Sequence, residues 1–158
     1  MKISDLKIRD YKAADFAEVN NLWVATGMGG AERGDDNVVI QRTIKAGGKL
    51  IILEHNPTEE IIGTSWLTHD NRRVYLHHFG IRPDYQGKGL SKILFNESIY
   101  FAKSLGMQIK LEVHKTNLKA TELYKKGGFQ YLGDYRVYII RDLEQVEHFE
   151  FEERNKKE

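Results

Sequence analysis

Gln86-Gly87-Lys88-Gly89-Leu90-Ser91 sets two glycines one residue apart, after an apolar β-branched stretch and before a long amphipathic run. Glycine has no side chain to keep a ligand from the main-chain N–H groups, and the first free N–H groups of the following helix point the same way. A nest of this kind favours phosphate. Lys88, Lys92 and nearby Arg82 would add positive charge for a ligand carrying several phosphates. The alternative is a surface turn with basic residues. Spacing excludes two common phosphate loops. A Walker loop needs Gly, four residues, then Gly-Lys-Ser/Thr, which occurs nowhere in the chain. The dinucleotide fingerprint needs Gly at its first, third and sixth places, and counting from Gly87 the sixth is Lys92.

Downstream, Asn117-x-x-Ala120-x-x-x-Tyr124-x-x-x-Gly128-Phe129 gives a second motif. Together the two resemble the GNAT N-acetyltransferase superfamily, whose acetyl-CoA loop is written Gln/Arg-x-x-Gly-x-Gly/Ala. Ser91 stands here at its last position in place of Gly or Ala. The resemblance runs from about Ile8 to Leu143 and includes the less specific Asp15-Phe16 and Glu60-Ile61-Ile62-Gly63. It implies an α+β (mixed α/β) domain. Its central mixed, mostly antiparallel sheet is flanked by helices, and its fourth and fifth strands splay around the pantetheine arm. Val74 to Ile81 and Gln108 to His114 occupy those two places.

The implied activity is direct acetyl transfer from acetyl-CoA to a primary amine of a small molecule or a protein. Such chemistry needs the amine deprotonated, the oxyanion stabilised and a proton returned to the departing thiolate. By resemblance, main-chain groups of Phe79, Gly80 and Ile81 bind the pantetheine arm and polarise the thioester. The loop Gln86, Gly87, Lys88, Gly89, Leu90 and Ser91 takes the pyrophosphate, and Asn117 contacts the cofactor or simply caps a helix. Tyr124 shares a helix face with Ala120 and is the candidate acid, its ordinary pKa near 10 keeping the hydroxyl protonated. Packing in an amphipathic core is its other role. His77 is the favoured base, because histidines at this place, four before the Ile81 equivalent, serve in arylalkylamine-type relatives. Pleating sets His78 on the opposite face, and a buried core histidine is the alternative for either. Glu112 is a further candidate. Trp23, Trp66, Asp70 and the acidic Glu32 to Asp36 segment could shape an amine pocket, although singly each suits surface or core. A catalytically silent acyl-CoA-binding regulatory module is the competing function.

These groups need elements to position them. Val74, Tyr75, Leu76, Phe79 and Ile81 form a strand ended by Arg82-Pro83-Asp84. Leu90, Ile93, Leu94, Ile99, Phe101, Ala102 and Leu105 recur at helical steps up to Gly106. Around this centre the patterning predicts a strand over 2–10 and a helix opened by Asp15 as cap. A flexible Gly27 to Asp36 segment leads to a second helix from Asn37 to Ala46. Strands then run from Lys49 to His55, Glu60 to His69 and Gln108 to His114. A helix from Asn117 to Lys126 and a closing hairpin of Phe129 to Leu132 with Tyr135 to Arg141 complete the order.

The chain has 158 residues, 41% of them hydrophobic, enough for one core. A domain over 1–143 and a charged tail over 144–158 are expected; from Asp142 onward seven acids face three bases. A formal net charge of +1 gives no support to broad binding of nucleic acid or anionic membrane. With no cysteine there is no disulfide, zinc–thiolate site or cysteine-borne acyl intermediate, so transfer would be direct, and no metal is invoked. The N-terminus lacks an apolar signal core and no apolar run is long enough for a membrane helix, which points to a cytoplasmic protein. Edge strands or the final hairpin could form a homodimer, a family tendency.

Overall fold

The computed structural model describes residues 2–133 and 135–145. Its strands are β1 (Leu6–Asp10), β2 (Lys49–His55), β3 (Glu60–His69), β4 (Arg73–Leu76), β5 (Gly80–Ile81) and β6 (Gln108–Leu111). The α-helices are α1 (Phe16–Ala25), α2 (Asn37–Lys45), α3 (Ser91–Ser104) and α4 (Leu118–Lys126). The sheet order is β1-β2-β3-β4-β6, with β5 also on β3. All pairs are antiparallel except β4 with β6. This is the expected α+β architecture.

Helices cover both faces of the sheet, which is why β2 and β3 read as nearly continuous apolar runs instead of alternating ones. Ile51, Leu53, Ile62 and Leu67 pack with Leu94 and Phe95 of α3 and Tyr124 of α4. On the other face Leu50, Ile52, Ile61 and Trp66 pack with Val19, Leu22 and Trp23 of α1 and Ile40 of α2. The polar exceptions are matched: Trp23 Nε1 donates to Thr64 Oγ1 at 2.9 Å, and the Ser65 and Ser98 hydroxyls meet at 2.7 Å. Among the described residues no helix is long and apolar enough to cross a membrane.

Several expectations are corrected. The first strand begins at Leu6, because Ile3–Asp5 forms a 3-10 turn whose Asp5 carboxylate accepts the Lys2 N–H at 2.7 Å. Asp15 does not cap α1 with its side chain. Its carboxylate instead holds the Arg9 guanidinium at 2.7 and 3.0 Å and the Lys12 N–H at 2.7 Å. The caps that do form are Asp36 on α2, accepting from Val39, and Asn117 on α4, accepting from Ala120. The expected closing hairpin is absent from the described residues of 129–141. β-propensity measures fit to a pleated, half-buried surface, and Tyr135, Val137, Tyr138 and Ile139 have none beneath them, each being largely exposed. Residues 146–158, which hold most of the expected tail, lie outside the described residues.

The strand expected over Val74 to Ile81 is two. Leu67 pairs with Leu76 and the His77 N–H donates to Trp66 O at 2.7 Å, but the next pairing is Thr64 with Gly80. One extra residue is therefore inserted at His78-Phe79, opposite Ser65, which is a β-bulge. The ladder between β4 and β6 stops at Leu76 with Leu111, three residues short of the expected His114. Beyond that point residues 77–81 follow β3 while 112–114 do not, and the sheet forks.

Candidate active site

Two cavities open on the fork and share Phe79, Asn117 and Ala120. The first, about 320 Å³, is walled by Phe79, Gly80 and Ile81 on the strand side, by Gln86, Gly87, Gly89, Leu90 and Ser91 of the loop, and by Lys119 and Leu123 of α4. The second, about 450 Å³, is walled by Tyr75 to Phe79, by Glu112 to His114, by Tyr124, and by Gly27, Met28 and Arg33 between α1 and α2.

The loop conformation needs its glycines. Gly87 has φ 76° and Gly89 φ 78°, in the left-handed region, and no heavy atom lies within 4 Å of where a Cβ would stand on either. Space above the loop is open to a ligand, and α3 begins at Leu90 without a side-chain cap. Gln86 Nε2 donates to Ile81 O at 2.9 Å, tying the loop to the end of β5. The expected basic residues do not wall this cavity. Arg82 is held by Glu60 and Asp84, each at 3.0 Å, and Lys88 Nζ donates to Asp84 O at 3.1 Å while lying 4.8 Å above the Tyr85 ring. The cation on the wall is Lys119, in the first turn of α4 two residues after Asn117.

Tyr124 is 8% exposed, edge-on to Phe79 at 5.9 Å and to Phe129 at 5.7 Å. Burial pushes its hydroxyl up to about 12, so the phenol stays protonated at neutral pH. Tyr124 reaches the fork because α4, capped by Asn117, ends in tight packing. A Cβ on Gly127 would stand 2.0 Å from the Phe95 ring.

The histidines depart from the expected pleat. With the bulge at His78-Phe79, His77 and His78 both turn toward the α1 and α2 face. His77 lies 4.3 Å from Tyr75 and 5.7 Å from Trp66, centroid to centroid, and His78 lies 4.2 Å from Trp23 and 5.3 Å from Trp66. Both wall the larger cavity. Burial pushes His77 down to about 4, with neighbouring His78 adding to the effect and Asp35 and Glu112 opposing it. Burial, helped by Arg33, pushes His78 to about 4 as well. Both are neutral imidazoles at pH 7. His77 Nε2 meets Thr68 Oγ1 at 2.7 Å; His78 Nε2 lies 3.3 Å from Asp35 Oδ2.

Trp23 and Trp66 form the buried floor under these rings and do not wall the cavity themselves. Asp70 sits in the β3–β4 turn, accepting the N–H groups of Arg72 and Arg73, away from the fork. Glu112 walls the cavity and, with burial as the larger cause, raises the Tyr75 phenol. The Glu32 to Asp36 segment reaches the site through Arg33, on the cavity wall, and Asp35, beside His78, while Lys119, Met28, Tyr85 and Leu123 are wall residues that sequence patterning did not single out.

The model of the Acetyltransferase (GNAT) family matches residues 16–129. The chain belongs to the GNAT acetyltransferase family. Over 63 residues it is 40% identical to N-alpha-acetyltransferase RimI of Mycobacterium tuberculosis, a match covering 40% of this chain and 39% of that protein. Among solved structures, it is similar to a GNAT family acetyltransferase of Staphylococcus aureus, with TM-score 0.72 at 19% identity over 83% of this chain and 89% of that one. A GNAT family acetyltransferase of Elizabethkingia anophelis with acetyl-CoA bound gives TM-score 0.59 at 20% identity, over 80% and 76%. At these identities the structural likeness is one of fold. The matched stretch spans about two fifths of the RimI protein's length.

Proposed function

We propose that this GNAT protein is an N-acetyltransferase that moves an acetyl group directly from acetyl-CoA to a primary amine. The observation that carries this reading is the fork itself: a glycine-loop cavity and a cavity walled by a phenol and two imidazoles meet at Phe79, Asn117 and Ala120. The first cavity fits the cofactor. Left-handed Gly87 and Gly89 and the uncapped start of α3 suit a pyrophosphate, Lys119 adds charge, and Phe79, Leu90 and Leu123 suit an extended arm.

Acetyl-CoA, when bound, supplies the acetyl group as an activated thioester. Main-chain groups of Phe79, Gly80 and Ile81 hold and polarise it. Tyr124, protonated and shielded, delivers a proton to the departing sulfur. His77, its Nε2 engaged by Thr68, takes a proton from the amine. A peptide α-amine is the first acceptor class to try, given the likeness to an N-alpha-acetyltransferase; a small alkyl diamine is the second.

The test is calorimetric titration with acetyl-CoA, followed by thiol release with a free-α-amine tripeptide and with 1,5-diaminopentane. Binding and thiol release with either acceptor support the reading. Failure to bind acetyl-CoA overturns it, and binding without transfer to any amine turns it into the silent binding module.

A further inference from the structure

Beside the larger cavity lies a third, about 280 Å³, which shares Tyr75 and His77 with it. The charged side chains on its walls are Asp70, Arg72, Arg73 and Lys110, so cations outnumber carboxylates there. The carboxylate is already engaged. Asp70 accepts the N–H groups of Arg72 and Arg73 at 2.9 and 2.8 Å and lies 3.5 Å from the Arg72 guanidinium. Arg73 and Lys110 make no ion pair among the described residues: Arg73 Nε donates to Gln108 Oε1 at 3.2 Å, and Lys110 Nζ lies 4.6 Å above the Tyr75 ring.

The strand register sets these two cations in a row that leads to the acceptor cavity. Across the β4–β6 ladder Tyr75 pairs with Lys110 and Arg73 with Gln108. Pleating puts Arg73, Tyr75 and His77 on one face, and the Tyr75 and His77 rings stack at 4.3 Å. At about 3.3 Å per residue, Lys110 stands about 7 Å before His77 along the strand and Arg73 about 13 Å before it. The Lys110 charge is felt at His77, whose protonation it opposes.

The larger cavity has a different balance. Its walls carry Arg33 and Glu112, one charge of each sign. An ammonium can be received beside Glu112, whereas the adjoining cavity repels a second ammonium and attracts an anion. A diamine, with a cation at each end, has the wrong order of charges for this pair of cavities. A peptide amino terminus with an acidic residue close behind it has the right one. An extended chain advances about 3.3–3.6 Å per residue, so a carboxylate on its second or third residue comes within reach of Lys110 and Arg73 when the α-amine lies at His77.

We propose that the cavity of Arg73 and Lys110 is an anion subsite of the acceptor site, and that the preferred acceptor is a peptide α-amine followed by Asp or Glu at the second or third residue. The subsite rests on the acetyltransferase reading above and narrows its acceptor class. The acceptor's carboxylate does not change charge in the reaction, so its contact is the same in the ground state and the transition state. Its contribution therefore falls on KM and leaves kcat alone.

The experiment is thiol release by the full chain at saturating acetyl-CoA, with amidated tripeptides that carry glutamate, glutamine or lysine at the second or the third place, at low and at high salt. The glutamate peptide is expected to exceed the glutamine peptide by about tenfold in kcat/KM, and the lysine peptide to fall below both. The difference should lie in KM and shrink at high salt. Arg73→Glu/Lys110→Glu should remove or reverse the order with acetyl-CoA affinity unchanged by calorimetry; where that variant fails to fold, the milder Lys110→Gln should still narrow the preference. Equal kcat/KM for the three peptides in the wild-type protein, a preference for lysine, or transfer to 1,5-diaminopentane alone overturns the subsite and leaves the acetyltransferase reading standing. A glutamate preference that persists undiminished in the folded variants places the anion elsewhere and overturns the assignment to Arg73 and Lys110. Absence of thiol release by the wild-type protein with every one of these acceptors removes both.

Discussion

Replacing Tyr124 with Phe removes one oxygen and little else. The ring lies between Phe79 and Phe129 at 5.9 and 5.7 Å, and phenylalanine keeps both edge contacts and nearly all of the buried area. The hydroxyl makes no hydrogen bond among the described residues, so the stability cost should stay below about 1 kcal/mol, or a fall in Tm of less than about 2–4 °C for a domain of this size. The kinetic cost is of another order. A positioned general acid contributes about 10²–10⁴ in rate, which is about 2.7–5.4 kcal/mol of barrier. Because burial holds the hydroxyl protonated up to about pH 12, the donor is intact across any workable assay and its loss should be seen at every pH from 6 to 9. The assay is single-turnover thiol release with saturating acetyl-CoA, so that product release cannot mask chemistry. Acetyl-CoA affinity by calorimetry should stay within about twofold. A single-turnover rate equal to that of the wild-type protein would refute the acid role and return Tyr124 to packing alone.

Gly89→Asp should abolish acetyl-CoA binding in a folded protein, since φ 78° strains any side chain and a carboxylate would face the phosphates; unchanged calorimetric affinity would remove the cofactor assignment. Lys119→Ala should weaken acetyl-CoA by about tenfold, with the loss shrinking in high salt; an unaltered affinity would leave the loop's backbone to hold the phosphates without it. Stability should fall as pH drops from about 6.5 toward 4. His77 and His78 are each depressed to about 4, so the unfolded chain binds more protons in that window and stability is lost through it. Urea melts of the His77→Gln/His78→Gln double variant should be flatter over that range, and equal slopes would contradict the burial argument. Glu54→Ala should destabilise by about 1–3 kcal/mol in urea melts, because it removes one of the two carboxylates that hold the part-buried Arg9 guanidinium and leaves the Asp15 pair in place; an unchanged midpoint would refute the argument.

The central elements were legible because their signals are local. β2 and β3 are bounded in sequence by the same residues that bound them in space, Lys49–His55 and Glu60–His69, since glycine and Asn56-Pro57 punctuate continuous apolar runs. Asn117 was visible as a cap because capping needs only a side chain three residues before the N–H it satisfies. Asp15 obeyed the same local rule and was taken by Arg9, a partner brought by the sheet. The hairpin over 129–141 had strand residue types, but a strand also needs a neighbour, and the described residues give it none.

The site divides the same way. The glycine loop was legible because φ and spacing are written in residue type, whereas the histidine pair was not, because a β-bulge has no reliable signature in a single sequence. Alternation assigned His77 and His78 to opposite faces, and one inserted residue at His78-Phe79 was enough to turn both toward Trp66. The bulge is also what ends the ladder with β6 one residue before His77, so the feature that breaks the pleat is the one that opens the fork. In an unbroken strand the β4–β6 register would carry on, 77–79 would be paired with 112–114, and no gap would remain at the fork. The local irregularity that defeats periodicity here is therefore the structural requirement of the site, and a repaired alternation would be the more damaging change.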